Sequence, residues 1–61
     1  MGNIFLSARL TLGYTQKQVS SKTGLSQQLI SKIENDTSFG SYQFYTIKTL
    51  CNFLKVDIKK L

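Results

Sequence analysis

Gln27, Gln28, Ser31, Lys32 and Asn35 fall on one side of a helical wheel drawn at about 3.6 residues per turn, and Leu29, Ile30 and Ile33 fall on the other. The polar side carries carboxamides, a hydroxyl and an ammonium in place of the Glu and Lys pairs of an ordinary solvated face. A carboxamide offers a donor beside an acceptor, which matches adenine N6 and N7. An ammonium suits the paired acceptors of guanine, O6 and N7. Gln28 is the first candidate for such contacts and Gln27, at the helix tip, the second. Lys32, one turn after Gln28, reaches a guanine edge, a phosphate or only solvent. Ser31 is able to donate to a base or a phosphate. Leu29 borders both faces, so it either meets a thymine methyl or packs beside Ile33. The plain alternative is an amphipathic surface helix whose glutamines have no partner.

Such a face is useful only on a helix that is held still, and the flanking residues supply the punctuation. Asn3 is a candidate N-cap for a first helix, Asn3 to Leu12, with Phe5, Ala8 and Leu12 at helical spacing and Gly13 as its stop. Thr15 caps a second helix, Gln16 to Thr23. Gly24 sits where the chain must bend, with a positive φ. Ser26 caps a third helix, Gln27 to Asn35, its oxygen accepting from free backbone N–H groups. Val19, Leu25, Ile30 and Ile33 occupy the positions that pack between second and third helices. Ser20 is small where they approach. Thr23 stands where an apolar residue is more usual, its methyl packing while its hydroxyl bonds a helical carbonyl. A loop, Asp36 to Ser41, leads to a fourth helix, Tyr42 to Leu54, with Ile47, Leu50, Cys51 and Leu54 as its apolar stripe. Val56 to Leu61 suits a short fifth helix started by Asp57, with Val56, Ile58 and Leu61 closing the core. Phe39 in the loop is either a core anchor or a contact for a partner.

The chain has 61 residues and a net charge of +5. That length holds one small domain, residues 1 to 61, burying about 60% of its unfolded surface. A basic balance of this kind favours polyanions, or else merely solubilises the surface. There is no His, and the only carboxylates on side chains are Glu34, Asp36 and Asp57. No metal-ligand cluster or nucleophile–base pair is therefore expected: no metal, no cofactor, no enzyme. The single Cys51 forbids an internal disulfide and fits a reducing cytoplasm. It is a small core residue or, less in keeping with its apolar run, a reactive thiol. Met1 to Leu6 lacks the charged start and apolar core of a secretory signal, and no apolar run reaches the ~20 residues of a membrane span.

The stretch RLTLGYTQKQVSSKTGLSQQLISKIEN resembles the Cro/repressor-type (lambda-repressor-like, XRE) helix-turn-helix family, in the branch of the phage 434 repressor. TIKTLCNFLKVDIKKL is similar to that family's fourth and fifth helices. The resemblance implies a compact all-α, five-helix fold and binding to a double-stranded DNA operator as a homodimer in a bacterial or phage-infected cell, with repression by occlusion. It implies that Gln16 bridges a phosphate to the third helix by bonding Gln27. It makes Lys17 and Asn35 phosphate contacts, with Ser26 at the helix N-terminus beside them. It pairs Arg9 with Glu34 as a structural bridge; a lone Arg in a lysine-rich chain also points to a need for fork geometry. Asp36 departs from the family's usual glycine, and Asp36 to Tyr42 carries no Lys or Arg. Only backbone N–H groups, Thr37, Ser38, Ser41 and Tyr42 are left there for DNA. The dimer surface would involve the loop and final helix, with Ile58 and Phe44 near the axis. A rival of another class is a protein-interaction module, such as an antitoxin, marked by an exposed apolar patch around Phe39, Tyr42 and Tyr45.

Overall fold

Each of the first three helices begins where a polar side chain closes on free backbone N–H groups. The structure, a computed structural model, describes residues 3–60. In α1 (Ile4–Leu12) Asn3 Oδ1 accepts from the N–H of Phe5 at 3.0 Å and Leu6 at 3.3 Å. In α2 (Gln16–Thr23) Thr15 Oγ1 accepts from Gln18 N–H at 3.1 Å, and Gln18 Oε1 accepts from Thr15 N–H at 2.8 Å. This reciprocal box satisfies two otherwise free donors. In α3 (Gln27–Glu34) Ser26 Oγ accepts from Leu29 N–H at 3.1 Å. Gly13 and Gly24 end α1 and α2 in the left-handed region, at φ 80° and 78°. A side chain there would cost backbone energy even where space is open.

The fourth helix differs. α4 (Phe44–Leu54) starts after Gln43, which makes no side-chain cap, and two residues later than the sequence predicts. Tyr42 is drawn instead into the preceding loop by its hydroxyl bond to Asp36. The helix ends at Lys55 in the left-handed region, φ 58°. The expected fifth helix is not formed. Past Lys55 the chain makes one 3-10 turn, Ile58–Lys60. So short a segment cannot offset the cost of nucleating an α-helix, and Asp57 caps it by accepting from Lys59 N–H at 3.0 Å. Leu61, expected to help close the core, lies outside the described residues. Among those described the fold is all-α, with four α-helices and no strand.

α2 packs on α3, and α1 packs on both α3 and α4. The core is Phe5 from α1, Val19 from α2, Ile30 and Ile33 from α3, and Ile47, Leu50, Cys51 and Leu54 from α4. Cys51 is a buried core side chain, and burial pushes its thiol pKa up, with Asp57 adding to the effect. Leu12, predicted on the apolar stripe of α1, is instead exposed. It is the last helical residue, where α1 runs past the core. Phe39 is a core anchor: its ring meets Phe5 edge-on, centroids 5.1 Å apart. Ser20 Oγ donates to Leu25 O, and Thr23 Oγ1 donates to Val19 O at 2.7 Å while accepting from Leu25 N–H at 3.3 Å. The α2–α3 turn is thus closed by two hydroxyls and one glycine.

Candidate nucleic-acid interface

The buried side of α3 is packed along its length and bonded to other segments at its C-terminal end. Ile30 and Ile33 are fully enclosed. Glu34, only 2% exposed, is the one carboxylate in the interior of the described residues. Arg9 Nε donates to its Oε2 at 2.6 Å and Arg9 Nη2 to its Oε1 at 3.2 Å. Arg9 Nη1 donates to Tyr14 O at 2.9 Å, and Gln16 Nε2 to Glu34 Oε1 at 3.0 Å. This two-pronged pairing with an added amide donor satisfies both oxygens of the buried carboxylate. At the same end Asn3 Nδ2 donates to Ile33 O and, at 3.0 Å, to Asp36 O. These are backbone carbonyls that the helix itself leaves free. One asparagine therefore starts α1 with its oxygen and finishes α3 with its nitrogen.

The other side of α3 faces outward. Gln27, Gln28 and Lys32 are exposed and Ser31 is half-buried. Leu29 is half-buried against the core. Lys17 on α2 is exposed, as is Ser26 at the helix tip, whose hydroxyl serves as the cap. Asn35 ends the helix and folds back, Nδ2 donating to Ser31 O at 2.8 Å. The implied Gln16–Gln27 bond is replaced: Gln16 gives its amide to Glu34. A charge-assisted bond to a buried carboxylate outcompetes an amide–amide bond at the surface.

The loop after α3 is closed on itself by Asp36. Its Oδ1 accepts from the N–H of Thr37 at 2.8 Å and of Ser38 at 3.3 Å, and its Oδ2 accepts from the Tyr42 hydroxyl at 2.8 Å. The Tyr42 bond first, then the Ser38 amide, hold the Asp36 carboxyl below the usual carboxylate range. Burial, and then this same bond, push the Tyr42 hydroxyl up. Three of the donors expected to be open to DNA, the Thr37 and Ser38 N–H groups and the Tyr42 hydroxyl, are thus taken by Asp36. An Asp followed by Thr-Ser is a legible signal for this local turn. The bond to Tyr42 has no local signal, and neither does the long reach of Asn3.

On the opposite end of the loop lies an open groove of about 310 Å³, lined by Phe39, Gly40, Tyr42, Phe44, Ile47 and Ile58. Phe44 is 68% exposed, Tyr45 61% and Ile58 37%. No group of three or more His, Cys, Asp or Glu placed to hold a metal ion occurs among the described residues. No helix there is long and apolar enough to cross a membrane.

A family model described as a helix-turn-helix domain matches residues 2–61. No curated protein and no solved structure matches the chain.

Proposed function

The chain belongs to the helix-turn-helix domain family, and from that membership we propose that it is a sequence-specific regulator of transcription that binds a double-stranded DNA operator through α3. The observation that carries this is the division of α3 into two faces. One is immobilised by Asn3, Arg9 and Gln16. The other presents Gln27, Gln28 and Lys32 to solvent. Base reading needs rigid placement of flexible polar groups, and this helix has both.

Within that reading Gln28 and Gln27 contact bases, with Lys32 and Ser31 beside them. Leu29 packs on the core and leaves only its edge for a thymine methyl. Lys17, Asn35, Gln16 and Ser26 lie toward the backbone, where contacts set register without reading sequence. The TQ start, central glycine and ISKIEN close support the Cro/repressor-type branch, near the pattern of the phage 434 repressor. One domain over residues 1–61 makes few base contacts, so two copies on a two-fold operator supply the specificity, with half-sites about 34–36 Å apart. The groove at Phe44 and Ile58 is the surface for the second copy. Occupancy of the operator by two such domains represses by occlusion in the cell's cytoplasm.

The exposed Phe44 and Tyr45 also favour a second reading, a module whose main partner is another protein. Selection of binding sites from random duplexes separates the two. We expect a two-fold-symmetric consensus, and Lys17→Ala should then weaken all sequences alike and flatten the salt dependence by about one ion. A folded protein that binds no duplex in low salt sinks the DNA reading.

A further inference from the structure

Three side chains from two segments meet outside the core at the C-terminal end of α3. The Lys32 ammonium stands 5.9 Å from the centre of the Tyr42 ring. That is within the range at which a cation is attracted to an aromatic face. The Tyr42 hydroxyl donates to Asp36 at 2.8 Å. Asp36 is itself held by the Thr37 and Ser38 amides, and Tyr42 packs against the core. The ring is therefore fixed by its packing and by its hydroxyl, and the lysine rests on a fixed object.

A solvated lysine has a long flexible stem and must be ordered when it meets a base. Here part of that ordering is present before DNA arrives. Asp36, bonded to the ring's hydroxyl, also places a negative charge near the same ammonium, which disfavours a phosphate as its further partner. Neutral acceptors, such as guanine O6 and N7, carry no such repulsion.

We infer that Tyr42, outside the helix-turn-helix, is a positioning residue for sequence discrimination: its ring, packed against the core, holds the Lys32 ammonium where it addresses a guanine edge. This rests on the base-reading role proposed for α3. The comparison is site selection with wild type, Lys32→Ala, Tyr42→Phe and Tyr42→Leu, the last filling similar space without an aromatic face. Wild type and Y42F should favour guanine at one position of each half-site. K32A and Y42L should lose about tenfold of that preference, with other positions unchanged and no added loss in the double variant. In the free protein, the Lys32 ε-methylene protons should show an upfield ring-current shift in wild type and Y42F.

Absence of that shift in wild type overturns the inference whether or not Y42L folds. So does Y42L that keeps the guanine preference, that weakens every sequence equally, or that adds to the loss in K32A. If wild type selects no sequence at all, the reading of α3 fails first; if K32A changes the preference and Y42L does not, the role of Tyr42 alone fails.

Discussion

The bonds that hold α3 to its neighbours and the apolar surface around the start of α4 and the 3-10 turn work in different ways. In the first, polar groups are turned inward: Asn3, Arg9 and Gln16 each bond a backbone or carboxylate atom in another part of the chain, and Ser20 and Thr23 close the α2–α3 turn locally. In the second, apolar groups are turned outward, with Phe44 and Ile58 around an open groove. A directed network fixes one geometry, whereas exposed apolar area is non-directional and gains energy from whatever covers it. On the function proposed above, the first region aims α3 and the second offers a surface for association.

The strongest way to break this contrast is to remove the guanidinium. Arg9→Ala leaves the Glu34 carboxylate buried with Gln16 as its remaining side-chain donor. The expected loss is ~3–5 kcal/mol, comparable with the whole stability of so small a domain at roughly 0.05–0.15 kcal/mol per residue. Thermal and urea melts should show the chain largely unfolded at room temperature; a transition within about 1 kcal/mol of wild type would mean the network does not hold α3. Next in size, Gln28→Ala should leave the melt unchanged and relax one operator position by ~1–3 kcal/mol. Equal weakening at every sequence would remove Gln28 from base reading.

Phe44→Glu probes the second region. Its melt should stay within about 0.5 kcal/mol of wild type, as for most surface changes, while binding to a two-half-site duplex loses affinity and binding to a single half-site does not. A strongly lowered melting temperature would make the groove part of the fold. The smallest effect comes from acid. The folded-state carboxyl of Asp36 is held below its ordinary value, so the bond to Tyr42 contributes at pH above about 3.9 and is lost as pH falls through the depressed value. Tyr42 ring signals followed by NMR should be flat from neutral pH down to that region and move below it; a midpoint near neutral would contradict the assigned cause.

Helix boundaries were legible in the sequence wherever a cap is local. Asn3, Thr15 and Ser26 act on groups two or three residues away, and Gly13 and Gly24 mark left-handed turns. The Arg9–Glu34 pair came from resemblance, since spacing alone does not join residues 25 apart. What stayed hidden is non-local or competitive. Nothing near Asn3 points to Ile33 and Asp36, 30 and 33 residues away. Gln16 had two possible partners, and the buried charge won. Tyr42 had good helix spacing but a better bond in the loop, which delayed α4. Asp57 had the look of a helix cap, and it closes only a single 3-10 turn, Ile58–Lys60.

Asn3 and Arg9 carry a consequence for swapping specificity between proteins. A chimera that receives only residues 27–35 inherits a carboxylate without its guanidinium and one terminal carbonyl, that of Ile33, without its amide. Transplanted reading heads of this type should come with a short stretch of the first helix, or the recipient must already hold matching donors at those two places.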